Sequence, residues 1–240
     1  MPKSLLHGAI WLAGGLLLSG CSGLGQLPSP DALIKRHIEG AYGDAGLDAQ
    51  PAVTMSGRLI MEDYDIDAPV VLKVEAPDKR YFKTTIGGIE IIRSCIGGQC
   101  WAKEIDSPMQ RVEGAQLIFM AETADFYRLR NLKRYYRGVE TLRQTDFDGE
   151  KAYELHLIRD NGTRDRWYFS RDTGLWLGGV WTLPRTMGAA QVTQYFRNYQ
   201  PFGDVRLATE IIEVSPTISK VLIDEASFGD IPDSEFKIMP

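Results

Sequence analysis

The stretch SCIGGQCW, residues 94–101, decides the fold, because it places a two-residue turn between two runs of strand-forming residues. Gly97 and Gly98 supply the positive φ angles that such a hairpin turn needs. The two flanking runs then pair as neighbouring antiparallel strands, in which residues at equal distances from the turn face each other. The stretch therefore predicts a β-hairpin and, with it, an antiparallel sheet.

The same register places Cys95 directly opposite Cys100, in a pair that is not hydrogen-bonded. The Cα atoms of such pairs lie about 4.5 Å apart, within the range that a disulfide accepts. A metal site is the alternative, but the chain has 3 His and 3 Cys and offers no second Cys or His pair to complete one. We predict a disulfide that links the two strands of the hairpin and stabilises the fold by about 2 kcal/mol. It indicates an oxidising compartment outside the cytoplasm.

Alternation of apolar and polar residues with a period of two continues on both sides of the hairpin. Leu72 and Val74 share one face of a strand, and Leu155 and Leu157 alternate with His156. Alternation and the intervening turn residues predict strands at residues 52–61, 70–76, 153–157, 164–169, 175–183, 191–199, 205–214 and 219–226. A sheet of this length must curl and cover its apolar face.

A helix is expected before the first strand. Ser29 suits an N-cap, Pro30 suits the first helical position, and Gly40 and Gly43 end the helical spacing.

Residues 114–136 break the strand pattern and predict a helix or a helix pair inserted in the middle of the sheet. Arg130, Arg134 and Arg137 recur at i, i+4 and i+7, which makes a positive stripe if the helix persists. Contact with anionic head groups or with a charged partner is one interpretation. We prefer the other, a solvated helix face beside acidic neighbours.

Composition limits the class of protein. The 240 residues carry 27 Lys and Arg against 32 Asp and Glu, a net charge of −5, with 44% apolar residues. These values are typical of a core-forming globular protein. The acidic balance is untypical of nucleic-acid binding, so we predict no nucleic-acid partner. Neither a repeat nor a low-complexity linker interrupts residues 31–240, which we therefore expect to form a single domain.

The N-terminus has the pattern of an export signal. An apolar run of 14 residues, 5–18, is shorter than the roughly 20 that span a bilayer and suits a secretory signal. It ends in LSGC, residues 18–21, which resembles the lipobox of bacterial lipoproteins. That resemblance implies removal of residues 1–20, lipidation of Cys21 with acyl chains such as palmitate, and a tether over residues 21–30. The alternative is a simple signal peptide with an incidental Cys.

Several stretches of the chain resemble the LolA/LolB-like family of lipoprotein carriers and localisation factors. APDKRYF, residues 76–82, is similar to the Pro-centred turn and aromatic strand of that family, and GGQCW, residues 97–101, to its hairpin. Residues 117–124 match its inserted helix. Residues 223–226 and 236–240 resemble its closing strand and its Phe-x-x-x-Pro ending.

This resemblance implies an α+β fold that is mainly antiparallel β, a curved incomplete barrel whose concave apolar face is covered by helices and accepts acyl chains. The Arg that helps to hold the helical lid closed in the family would fall just before Pro77, where this chain has Ala76. The candidate ligand-binding residues, for each of which ordinary core packing is the alternative, are Leu72, Val74, Phe82, Trp101, Phe119, Leu155, Leu157, Trp167 and Phe169.

The sequence carries no enzymatic motif that we recognise, neither a Gly-x-Ser-x-Gly elbow nor a Walker loop, zincin helix or dinucleotide fingerprint. Asp63, Asp65 and Asp67 mimic the opening of a calcium loop, but Ala68 stands where the loop requires Gly and Val74 where it requires Glu. We therefore predict a non-enzymatic protein without a metal or a cofactor. A hydrolase remains the alternative and would need a polar cleft with convergent titratable groups.

Together these features predict a lipoprotein anchored in the outer membrane and facing the periplasm, because Ser22 stands where Asp often marks retention in the inner membrane. Its half-barrel is expected to bind an acyl chain, a lipid or a lipoprotein, in envelope lipid or lipoprotein trafficking. The alternative is a structural or assembly lipoprotein that uses the same fold as a scaffold for an envelope protein partner.

Overall fold

In the part of the chain that the structure describes, thirteen antiparallel strands form one sheet and three α-helices lie against it. The structure, a computed structural model, describes residues 26–183 and 191–236. The strands are β1 (Ala52–Met61), β2 (Ile66–Glu75), β3 (Lys79–Ile86), β4 (Ile89–Ile96), β5 (Gln99–Lys103), β6 (Gln110–Arg111), β7 (Gly138–Phe147), β8 (Glu150–Ile158), β9 (Arg164–Ser170), β10 (Trp176–Trp181), β11 (Val192–Phe202), β12 (Val205–Val214) and β13 (Ile218–Phe228). The helices are α1 (Pro30–Tyr42), α2 (Gly114–Ala124) and α3 (Leu132–Tyr135).

The sheet is built from two meanders that meet at one pair of strands. Strands β1 to β6 pair consecutively, as do β7 to β13, and β1 pairs with β13 to join the two sets. The order ends at β6 on one side and at β7 on the other, so the sheet is not closed. The prediction of an α+β fold with a mainly antiparallel, incomplete barrel is confirmed.

The pairing of β1 with β13 contains a β-bulge. Ser56 lies opposite Glu225, but Gly57 lies opposite Ile223, so the register shifts by one residue between them. A Cβ atom on Gly57 would lie 1.8 Å from the carbonyl oxygen of Leu222. Only glycine lets the two backbones approach this closely, and the bulge adds bend and twist where the two meanders meet.

The predicted hairpin is confirmed in its register. Ile96 pairs with Gln99, and Cys95 with Cys100, at the end of β4 and the start of β5. Both glycines of the turn have positive φ, 59° and 72°. The two cysteines form a disulfide with a Cα–Cα distance of 4.1 Å, close to the spacing expected for this pair.

The first helix has the predicted cap and ends slightly later than its first glycine. The Ser29 Oγ atom accepts a hydrogen bond from the Ala32 N–H at 3.2 Å, which satisfies one of the free donors of the first turn. Gly40 remains helical, and α1 continues to Tyr42, where Gly43 caps it with a φ of 65°.

Residues 114–136 form two helices, which confirms one of the two predicted alternatives. The predicted stripe of three arginines along one continuous helix is wrong. Only Arg134 lies on α3, which has four residues. Arg130 precedes α3 and pairs with Asp48 at 2.8 Å. Arg137 follows α3 and donates its backbone N–H to the carbonyl of Ile158 at 2.9 Å. Turns between the helices therefore break the i, i+4, i+7 spacing.

Both faces of the sheet are partly covered. All three helices pack on one face, which we name the helix face. On the opposite face, Phe236 is fully buried against Ala52 and Ile231. Its carbonyl accepts a hydrogen bond from the Ser94 hydroxyl at 2.6 Å, which fixes the end of the described chain on this face. The rest of the predicted Phe-x-x-x-Pro ending, residues 237–240, lies outside the described residues.

We predict that Gly57→Ala lowers the free energy of unfolding by at least about 2 kcal/mol, because a side chain here forces the two meanders apart. Urea or thermal denaturation of the purified chain measures this. Gly138→Ala is the matched control, since a Cβ there meets Ile158 at 3.6 Å, an ordinary contact. A loss at Gly57 no larger than that at Gly138 would contradict the role given to the bulge.

Candidate functional site

One end of the helix face is filled by α1. The helix turns Leu33, Ile34 and Ile38 onto the sheet, where they join a buried cluster that also includes Leu132 and Tyr136. The sheet side of this cluster consists of Leu155, Leu157, Trp167, Phe169 and Trp181. Four of the predicted ligand-binding residues, Leu155, Leu157, Trp167 and Phe169, are thus 0% exposed under α1, where they pack as ordinary core.

The other end of the helix face is covered by α2. Met120 and Ala124 of this helix pack on Cys95, Cys100 and Ala102 of β4 and β5. The disulfide therefore lies inside this cluster and stiffens the strands on which α2 rests. Predicted Phe119 lies on α2 and is half-buried.

Between the two helices an apolar surface crosses the middle of the sheet. Cross-strand partners share a face, so the register defines this surface without further assumptions. Three parallel rows of partners compose it, and we name them together the apolar band: Phe196–Ile211–Val221–Leu59–Ala68, Ile223–Gly57–Val70–Thr84, and Ala226–Met55–Leu72–Phe82. The Thr84 hydroxyl, the one polar side chain in the band, donates to the Pro69 carbonyl at 2.9 Å.

The band keeps part of its side-chain surface accessible. Leu59, Val70 and Ile223 are buried. The residues that are half-buried are Met55, Leu72, Phe82, Phe196, Ile211, Val221 and Ala226. Predicted Leu72 and Phe82 belong to the band as direct partners, and Val74, also half-buried, lies one row further along the same face.

Trp101 does not lie on this face, which corrects the prediction that it lines the same surface. It pairs with Ser94, whose hydroxyl bonds to the C-terminal segment on the opposite face. Its neighbours Cys100 and Ala102 point to α2 instead. Because side chains alternate along β5, Trp101 lies on the face opposite to Leu72 and Phe82. The sequence could not show whether the odd-numbered or the even-numbered residues of β5 face the helices.

A buried ionic cluster ties the end of α2 to β8 and β9. Arg159 contacts Glu122 of α2 at 2.7 Å and Asp165 of β9 at 2.7 Å. The Tyr136 hydroxyl donates to Asp165 at 2.8 Å. Burial raises the pKa of Tyr136, so the hydroxyl remains a donor at neutral pH. Arg128 adds a contact to Glu122 at 2.9 Å. Removing one partner would leave a buried charge uncompensated, so the cluster specifies the position of α2.

A second set of bonds holds the same helix end to the turn between β2 and β3. The Arg80 guanidinium donates to the carbonyl of Thr123 at 3.0 Å, and the Phe126 N–H donates to the carbonyl of Pro77 at 2.9 Å. Burial, with further effects of Arg128 and Arg93, lowers the pKa of Arg80 to about 10, which leaves it charged at neutral pH. Sequence reasoning missed this residue, although it lies in the stretch APDKRYF and places an Arg next to the inserted helix.

The opposite face carries a groove that the sequence did not reveal. It has a volume of about 510 Å³, and its apolar lining includes Ile60, Phe147, Tyr195, Ile212 and Ile218. Arg197 and Asp148, joined at 2.6 Å, lie at its rim. At this groove the turn between β7 and β8 lies close to β11, and the rings of Phe147 and Tyr195 stack with their centroids 5.2 Å apart.

Comparison with known proteins shows the fold. A scan against models of protein families finds no match, and neither does a search of curated proteins. Among solved structures, a LolA superfamily protein from Nitrosomonas europaea superposes with a TM-score of 0.58 at 13% identity, over 88% of this chain and 99% of that one. A DUF1329 family protein from Desulfovibrio piger gives 0.58 at 12% identity, over 86% and 96% of the two chains.

A third structure, an outer membrane lipoprotein-sorting protein domain from Vibrio parahaemolyticus, superposes with a TM-score of 0.54 at 15% identity, over 77% of this chain and 88% of that one. The chain therefore has a LolA-like fold, which confirms the predicted resemblance at the level of the fold.

The predicted signal peptide, residues 1–20, and the predicted lipidation site Cys21 lie outside the described residues, as does the first half of the tether 21–30. Within residues 26–183 and 191–236, no helix has both the length and the apolar content that crossing a membrane requires.

His37 is a buried titratable group on the face of α1 that packs on the sheet. Its Nδ1 accepts a hydrogen bond from the Trp176 N–H at 3.1 Å, and its ring meets Phe169 edge-on, with the centroids 6.0 Å apart. Burial lowers the pKa of His37 from 6.5 to about 4. The imidazole is therefore neutral in the folded chain under conditions where the unfolded chain begins to bind a proton.

The sign of this difference predicts destabilisation in acid. Since the unfolded chain binds the proton first, stability falls as the pH drops below the unfolded pKa of about 6.5, and about 2 kcal/mol is lost between pH 7 and pH 5. Urea unfolding of the wild type and of His37→Gln at both pH values measures it. The variant should lose that much less than the wild type over this range, and equal losses would show that His37 does not carry the effect.

Proposed function

We propose that the chain is a lipoprotein, anchored in the outer membrane through Cys21 and facing the periplasm, whose half-barrel binds a hydrophobic ligand on the apolar band. The ligand class is an acyl chain, carried by a lipid or by a lipoprotein. The protein acts by binding and performs no chemical reaction on its ligand.

The observation that carries this proposal is the half-buried state of the band. Three rows of apolar side chains run across the sheet between α1 and α2, and most members keep accessible surface. An extended acyl chain laid over Met55, Leu72 and Phe82 would remove that surface from water, at about 25 cal/mol per Å². Such binding needs few polar contacts, and the one hydroxyl in the band is already bonded within the protein.

The way in which α2 is held supports the same function. Its attachments to the sheet include the ionic cluster at Glu122 and the bond from Arg80 at its C-terminal end, and its Ile118 side chain is 68% exposed. The polar bonds fix the C-terminal end of α2, and apolar contacts such as those of Leu117 and Met120 hold its middle, so its N-terminal part is suited to shift when a ligand enters.

Two features favour the anchor. The stretch LSGC ends an apolar run of the length of an export signal, and a disulfide joins Cys95 to Cys100 in the folded chain. Disulfides are typical of oxidising compartments such as the bacterial periplasm. Two or more acyl chains on Cys21 would hold the protein durably at a membrane. The mass of the mature full chain, against that of Cys21→Ala, tests this part alone.

Ligand binding is tested with the purified full chain in two ways, by native mass spectrometry for co-purified lipid and by titration with a fluorescent palmitate analogue. Leu72→Gln should weaken binding of the analogue about tenfold, because it replaces an apolar contact of the band with an amide that finds no partner. Unlabelled palmitate should displace the analogue from the wild type.

Leu142→Gln is the matched control, since Leu142 is 43% exposed on the edge strand β7, outside the band. The affinity of this variant for the palmitate analogue should stay within about twofold of that of the wild type. If the wild type carries no lipid and binds no palmitate analogue, the ligand function is excluded, and if both variants bind equally, the band is not the binding site. A chain that then co-purifies with one envelope protein would support the scaffold alternative.

A further inference from the structure

Four exposed cations at one corner of the sheet lack acidic partners. They are Lys133 and Arg134 on α3, Arg137 directly after it, and Arg164 at the start of β9. Arg137 donates its N–H to the carbonyl of Ile158, and Ile158 pairs with Arg164, so the corner is compact. We name these four residues the basic corner.

Most other exposed basic residues of the chain form ion pairs, and the exposed ones without an ion pair in the described residues, such as Arg111 and Arg206, lie on other elements. Arg58 pairs with Asp67 at 3.0 Å, Arg93 with Glu104 at 3.0 Å and Lys151 with Asp146 at 2.8 Å. Within the described residues, no carboxylate lies within ion-pair distance of a basic-corner side chain. The remaining residues, 1–25, 184–190 and 237–240, contain no Asp or Glu.

Along the sequence, the exposed carboxylates nearest to these residues are Asp160, in the turn after β8, and Glu140, on β7, and neither forms an ion pair with the corner. The corner therefore presents four positive charges that no ion pair neutralises, in a chain whose net charge is −5. An exposed surplus of this kind attracts a surface of the opposite sign within the Debye length, about 8 Å at physiological ionic strength.

The position of the corner relates it to the proposed anchor. Leu132 and Tyr136, on either side of Lys133 and Arg134, share one buried cluster with Leu33 of α1. The helix α1 begins at Pro30, nine residues after Cys21. A segment of nine residues spans at most about 30 Å. A lipid at Cys21 thus keeps the first residue of α1 within that distance of the bilayer, and the corner packs beside the same helix.

We infer that the basic corner binds the anionic head groups of the membrane that holds the anchor, and that it thereby fixes the orientation of the half-barrel on the bilayer. This inference rests on the proposed anchor. Its consequence is that α1 and α3 face the membrane, while the groove on the opposite face of the sheet is directed elsewhere. The solvated-face interpretation preferred from sequence required acidic neighbours, and only Arg130 has one.

The test uses the full chain in nanodiscs of phosphatidylcholine alone and of phosphatidylcholine with 30% phosphatidylglycerol. Hydrogen–deuterium exchange of the peptides that cover residues 128–138 should be about fivefold slower in the anionic discs. That is the factor expected for about 1 kcal/mol from a basic residue near an anionic surface. The protection should vanish in 0.5 M salt, because the Debye length falls to a few Å.

The triple variant Lys133→Gln, Arg134→Gln, Arg137→Gln should lose this protection. The triple variant Arg58→Gln, Arg93→Gln, Lys151→Gln removes the same charge from ion-paired positions and should keep it. Equal exchange in the two kinds of disc, or loss of protection in both triple variants, would overturn the inference. The mass of the mature chain reports separately whether Cys21 is lipidated, so a failed anchor is distinguished from a failed basic corner.

Discussion

The pairing of β1 with β13 is the constraint on which the rest of the structure depends. Each meander is built from hairpins, whose partners are close in the sequence, whereas this one pair joins residues some 165 positions apart, such as Gly57 and Ile223. Long-range pairing has a high entropic cost before any contact stabilises it. The bulge at Gly57, where a side chain would collide with the Leu222 carbonyl, bends the sheet at this seam. The curvature of the half-barrel and the face it offers to a ligand follow from it.

The candidate site lies across this same seam. In every row of the apolar band a β1 residue meets a β13 residue, Leu59 with Val221, Gly57 with Ile223 and Met55 with Ala226. The helices cover the two ends of this face. The helix α1 is held by apolar packing, and α2 is held by apolar packing together with a buried ionic cluster. The surface left between them is therefore apolar, partly accessible and flanked by α1, which packs in the core, and by α2, whose polar bonds lie at its C-terminal end. These are the physical properties that acyl-chain binding requires.

Much of this arrangement was predictable from the sequence, because local rules determine it. Turn glycines and period-two alternation predicted the hairpin register, the disulfide and most strands, and Ser29 followed by Pro30 predicted the cap of α1. The strand β7 was not predicted, because residues such as Glu140 and Leu142 on this edge are exposed and show little alternation. The partner of β1, the parity of Trp101 and the bond from Arg80 to α2 depend on contacts between distant residues, which a single sequence does not contain. For the same reason Leu155 and Trp167 were predicted as ligand-binding residues, although α1 covers them.

The central claim is that ligand binds on the helix face, at the seam between the two meanders. Photo-crosslinking with a palmitate analogue that carries a diazirine near its methyl end, followed by peptide mapping of the full chain, tests it most directly. We expect the label on β1, β2, β3, β12 and β13, at residues of the band such as Met55, Leu72 and Val221. Label attached instead to Phe147, Tyr195 or Ile218 in the groove of the opposite face, or spread over the surface without preference, would contradict it.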